Sequence, residues 1–170
     1  STSEFIEILT RIQNDDSIDA LFPFSDPFYY DLAALRSFGW VEEDIWIKFN
    51  KIAKKLKIGK IFLRIFLIFN KQIKKPKNKK LIQVESAFGG IGLYKLKEGF
   101  TNLHKYGVSD EAISADHIMF NSLFNKKYID PNWTVKAPIE HIEFKTLSLF
   151  RKMKYIYKEL QFELNNLKTH

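Results

Sequence analysis

The stretch Asp19 to Phe24 limits the fold more than any other part of the chain, because it is short, almost wholly apolar, and met by Pro23 and Pro27. A run of that length cannot complete an amphipathic helix, and prolines interrupt further pairing. It is therefore expected to be a short buried strand. On its N-terminal side Phe5, Ile8, Leu9 and Ile12 recur at helical spacing, with Thr2 or Ser3 positioned as caps and Asn14 to Ser17 as a turn. Tyr29 to Phe38 reads as a strand end passing into a helical turn. Ile45 to Lys60 has Ile45, Phe49, Ile52, Ala53 and Leu56 on one helical side and lysines on the other.

Further along, Leu81 to Ser86 reads as a strand, Gly89-Gly90 as a turn, and Ile91 to Leu96 as a second apolar run. Asp116 to Asn125 has helical apolar spacing. Tyr128 to Val135 is expected to be extended or looped, with Pro131 arguing against a central strand. Phe144 to Leu167 predicts one long, basic, amphipathic helix. Short strands interleaved with helices give an α/β or α+β chain, and 170 residues suit a single domain.

Sixteen Phe, seven Tyr and three Trp are ample to fill a core. The absence of cysteine removes disulfides and thiolate-bound metals from consideration and fits a reducing, cytoplasmic setting. The longest apolar run, Ile61 to Phe69, is too short to span a bilayer and is broken by Arg64. The net charge of +7 is regional. Between Ile45 and Val84 there is no acidic residue, and 13 of the 27 Lys and Arg residues fall there.

Four segments carry candidate chemistry: Phe28 to Arg36 (FYYDLAALR), Val84 to Tyr94 (VESAFGGIGLY), Ala115 to Phe120 (ADHIMF), and Ile139 to His141 (IEH). Each has a bland reading. Gly89-Gly90 is an ordinary turn, Asp31 caps the turn after it and pairs with Arg36, Asp116 caps the helix it opens, and His141 is a surface or core histidine.

Taken in order, the four segments resemble a family of bacterial and viral glycosyltransferases with a GT-A-like core, whose sequences read roughly YYDxWALR, SAFGGxxIY, CEHVxFH and a late Glu-His. The resemblance covers about Asp19 to His141. It implies a GT-A-like fold of which this chain is the C-terminal, acceptor-side portion, beginning shortly after the DxD motif that holds metal and donor diphosphate. It implies transfer of a sugar from a nucleotide-sugar donor to a glycan or lipid-linked acceptor, with a divalent metal, Mn or Mg.

On that resemblance Asp116 is the candidate general base, at the position of the family's Glu, and His141 a late metal ligand. Tyr30, Asp31, Arg36, Ser86, Phe88, Gly89, Gly90 and His117 would line the substrate cleft. Such roles suit the chemistry. A carboxylate deprotonates the acceptor hydroxyl, a metal neutralises the leaving diphosphate, and a glycine turn beside an aromatic ring makes a wall against a sugar. The chain departs from the pattern at Ala33 (Trp in the family), Asp116 (Glu) and Asn121 (His).

The basic segment Lys48 to Lys80 admits two readings. Its lysines opposite Ile, Phe and Leu would let it lie on an anionic surface at the inner face of the membrane, as a peripheral contact. Alternatively it is a solvated helix face. A non-enzymatic binding module for nucleic acid or anionic membrane is the competing function. Only four arginines and no nucleic-acid-binding signature stand behind the nucleic-acid form of it.

Overall fold

The computed structural model describes residues 2–96, 100 and 116–168. Two parallel strands, β1 (Ala20–Asp26) and β4 (Lys127–Lys136), make its centre. Two-residue antiparallel edges flank them: β2 (Ile82–Gln83) beside β4, and β3 (Leu93–Tyr94) beside β1. The resulting four-stranded mixed sheet has the order β2-β4-β1-β3. The α/β expectation holds at that level.

Side chains alternate across β1, as they must in a strand. Ala20, Phe22 and Phe24 enter the main core, while Leu21 turns to the opposite face and meets Ile8, Ile12, Ile18 and Trp133. Helix α1 (Thr2–Asn14) therefore covers one face of the sheet. Helices α2 (Ile45–Ala53), α3 (Lys60–Leu67) and α4 (Asp116–Asn121) bring Phe49, Ala53, Leu67 and Phe120 to the other. Phe22, Phe24 and Tyr29 are fully buried, and each of the two Phe rings contributes about 1.5–3 kcal/mol by leaving water.

Two expectations about proline are corrected. β1 runs through Pro23 to Asp26, and the segment around Pro131 is a central strand. The register explains the second. Pro23 pairs with Asp130 and Phe24 with Thr134, so residues 131–133 form a bulge with no partner on β1. A missing N–H inside a bulge costs no ladder bond. Asp130 holds the bulge by accepting from Asn132 N at 2.8 Å and from Arg11 Nη1 at 2.6 Å, which also ties α1 to the sheet.

Three helical expectations are shortened or divided. Ile45 to Lys60 forms α2 only to Ala53, and α3 starts at Lys60, directly after Gly59 at φ 92°. The C-terminal helix is two, α5 (Ile139–Thr146) and α6 (Leu149–Lys168), separated by extended backbone at Leu147. Helix α4 ends at Asn121, four residues early, and Leu81 to Ser86 pairs only at Ile82–Gln83 and at a bridge from Ser86 to Arg36. Among the described residues no helix is long and apolar enough to cross a membrane.

The structure also bears on membrane contact through the basic segment. Ile45, Phe49 and Ala53, the apolar side of α2, face the core, so they are not free to enter a bilayer. That part of the segment is a solvated lysine face over a packed one. The large exposed apolar side chains of α3 are Phe62 at 53% and Phe66 at 70% exposure.

Candidate functional site

The four motif segments meet. Asp31 bridges the first and second: its carboxylate accepts from Ala34 N at 3.4 Å and from Gly89 N at 3.1 Å. Gly89 needs its missing side chain. Its φ is 71°, and an added Cβ would stand 3.2 Å from the Pro23 carbonyl oxygen. Gly90 follows at φ 101° and lies against the Tyr30 hydroxyl, 3.4 Å from where a Cβ would be. The turn is thus seated on β1 and clamped by Asp31.

Asp31 caps the turn that follows it, as its bland reading had it, but Arg36 does not pair with it. Arg36 Nη2 donates to Asp44 Oδ2 at 2.7 Å, and Nη1 donates to the carbonyls of Leu35 and Ala33 at 2.6 and 3.0 Å. Asp44 at the same time caps α2 through the N–H groups of Trp46 and Ile47. With only 11% of its side chain exposed, Arg36 ties this turn to α2 rather than lining a cleft.

Ser86 is likewise internal, 1% exposed, and its hydroxyl accepts from Asn121 Nδ2 at 2.8 Å. Asn121, fully buried, also donates to the Ala87 carbonyl at 2.8 Å and accepts from the Tyr94 hydroxyl at 2.8 Å. This network pins α4 beneath the glycine turn. Neither Ser86 nor Arg36 is presented for substrate contact.

Two ring pairs are presented. Tyr30 stacks on His141 with ring centres 5.1 Å apart and planes 16° from parallel. Phe88 stacks on His117 at 3.7 Å and 11°. Asp116 opens α4 beside His117, and its side chain lies outside the described residues. Partial burial, and then the Asp31 carboxylate, raise the Tyr30 pKa above the ordinary phenol value, so its hydroxyl stays a donor at neutral pH.

Tyr30 and His141 line a cleft of about 300 Å³ together with Trp46, Arg64, Gln72 and Glu140. Gln72 is 3% exposed and donates through Nε2 to the His141 carbonyl at 2.7 Å, while its Oε1 has no hydrogen-bond partner. The buried Arg64 Nε has none either. Both residues line the cleft, while these two atoms are themselves buried and closed to solvent.

Sequence reasoning missed these residues. Arg64 interrupting an apolar run was a visible signal. A single amide in a lysine-rich loop was not. Three lysines also gather nearby: Lys74 and Lys145 stand 5.8 and 5.4 Å over the Phe28 ring, and Lys152 stands 5.6 Å over Phe144. Desolvation, and then repulsion by Lys152 and Lys74, lower the Lys145 pKa. Lys145 lies one helical turn after His141 on α5, and none of these three lysines is among the residues lining the cleft.

Among the described residues no group of three His, Asp or Glu side chains stands together as a metal site. His141 and Glu140 offer one imidazole and one carboxylate at the cleft, a donor set that suits part of a Mn or Mg site. Comparison of the chain with protein-family models, with curated proteins and with solved structures returns no match.

Proposed function

We propose that the chain is the acceptor-side portion of a GT-A-like glycosyltransferase, moving a sugar from a nucleotide-activated donor to a glycan or lipid-linked acceptor with a divalent metal. The observation that carries this reading is the convergence of the four motif segments. Asp31 binds Gly89, Gly90 abuts Tyr30, Phe88 stacks on His117, and Tyr30 stacks on His141.

The cleft chemistry supports the same reading. Arg64, Gln72 and Glu140 put a guanidinium, an amide and a carboxylate on the same cleft, donor and acceptor types that sugar hydroxyls pair with. Trp46, Tyr30 and Tyr155 offer ring faces to the apolar side of a pyranose. Asp116 would take the proton of the attacking hydroxyl, with His117 held beside it by Phe88. Lys145, Lys74 and Lys152 would draw an anionic leaving group toward the margin near His141. A metal held in part by His141 would supply charge neutralisation to the diphosphate.

The acceptor-side portion alone is expected to be inactive, so the test is turnover of a panel of nucleotide sugars with Mn²⁺ by the full-length protein with its donor-binding DxD region in place. Release of the nucleotide, reduced roughly 100-fold or more by Asp116→Asn, is expected. Turnover unchanged by that substitution removes Asp116 as base. No turnover with any donor, together with salt-sensitive binding to duplex DNA, would favour a binding module instead.

A further inference from the structure

Helices α3 and α6 run side by side in opposite directions. Glu163 Oε2, late in α6, accepts from Gly59 N at the start of α3 at 2.6 Å, while Tyr155, early in α6, shares the cleft with Ile68 just past the end of α3. Beyond the cleft, the seam between the two helices opens into a groove of about 370 Å³. Arg64 lines the cleft and the groove alike, so the two depressions adjoin at that side chain. Tyr155, Glu159, Phe162 and Asn166 recur at spacings of four, three and four, which puts them on one side of α6. Tyr155 belongs to the cleft and the other three to the groove.

We propose that the groove holds the continuation of an extended glycan whose reacting end lies in the cleft, so that the acceptor is an oligosaccharide. This rests on the transferase reading of the cleft and names the glycan among its acceptor classes. Three observations select that ligand. First, the path is continuous and long. From Tyr155 to Asn166 the stripe covers about 16 Å at 1.5 Å per residue.

Second, the groove carries both charges and does not spend them on each other. Lys57, Lys60 and Arg64 line it from α3 and the turn before, and Glu159 and Glu163 from α6. Among the described residues none of these three cations forms an ion pair. Donors therefore stand on one wall and acceptors on the other. A sugar hydroxyl donates and accepts at once and can join the two walls, which a ligand of one charge alone cannot.

Third, ring faces are spaced along the path. Phe162 is 65% exposed at the groove, and Tyr155 stands in the cleft two helical turns away, about 10 Å along the same side of α6. Two rings so placed suit stacking on two sugars of one chain.

NMR chemical-shift titration of the chain with neutral oligomers of glucose and of N-acetylglucosamine, from one unit to six, tests the assignment. Neutral probes exclude binding by charge alone. The expected result, in at least one series, is an affinity about 10-fold or more higher for four units than for one, the worth of one added hydrogen bond to a charged group. Glu159→Gln, Lys60→Gln and Phe162→Ala, none at a buried position, should each weaken the four-unit ligand several-fold. The affinity for one unit and the thermal melt should stay as they were.

Equal affinity for one unit and for four overturns the groove assignment, and so does length-dependent binding indifferent to all three substitutions. Absence of glycan binding overturns it as well. If the full-length protein then turns over nucleotide sugars, the transferase reading stands and only the extended acceptor falls. Length-dependent binding that the substitutions weaken, in a full-length protein that turns over no donor, keeps the groove as a glycan site and removes the transferase reading instead.

Discussion

The motif segments supply two regions with the same sequence neighbours and opposite environments. In one, Ser86, Asn121 and Arg36 lie inside the molecule, their polar atoms used on one another and on backbone carbonyls. In the other, Tyr30 with His141 and Phe88 with His117 stand as stacked ring pairs, the first of them lining a cleft. Residues one or two apart in sequence, such as Ser86 and Phe88, fall on different sides of this division. A motif of this kind is half scaffold and half presentation, and the scaffold half should be read by its effect on stability.

The largest effect is expected at the scaffold's centre. Asn121→Leu removes the donor to Ser86 Oγ and the Ala87 carbonyl and the acceptor for Tyr94, leaving buried polar groups without those partners. A loss of about 3 kcal/mol in urea unfolding is expected, since an unmet buried group costs far more than a bond gains. A loss below about 1 kcal/mol would mean the network does not hold α4. Next comes Asp31, which joins the regions. Asp31→Ala should cost about 1–2 kcal/mol by releasing the Gly89 and Ala34 N–H groups. Asp31→Asn, which keeps one acceptor oxygen, should cost less, and equal losses in the two variants would exclude the bridging role.

How much of this was readable from the sequence follows from how local each cause is. The buried strand at Asp19 to Phe24, the start of α2 at Ile45 and the α1 face were readable because spacing alone decides them. Pro131 misled, because whether a strand tolerates proline depends on its neighbour's register, and the bulge opposite Pro23 is set in three dimensions. The break at Leu147 was hidden by helical spacing that continues across it. Of the site, the ring residues and the glycine turn were found from the ordered segments. Asn121 stood out only as a departure from the pattern, and its place at the centre of a buried network has no sequence signature. Gln72 reaches the cleft from a lysine-rich loop, and nothing near it in the chain announces that.

The presentation region should answer in the opposite way. His141→Ala and Tyr30→Phe each leave the core untouched and should change unfolding free energy by no more than about 0.5 kcal/mol. A loss above 2 kcal/mol in either would place it with the scaffold and erase the division.

The smallest effect is one of charge at the cleft margin. Lys145 is partly desolvated and repelled by Lys152 and Lys74, so its folded pKa lies below the ordinary lysine value of 10.5. Between the lowered value and 10.5 the unfolded chain binds more protons than the folded one, so stability rises with pH across that window. Below the window the penalty is fully present, and above it the penalty is gone. Lys145→Gln should therefore stabilise the chain by a few tenths of a kcal/mol near pH 8, discounted for solvent screening, and by nothing near pH 11. Urea unfolding at the two pH values measures the difference. An equal change at both would assign the effect to packing instead of charge.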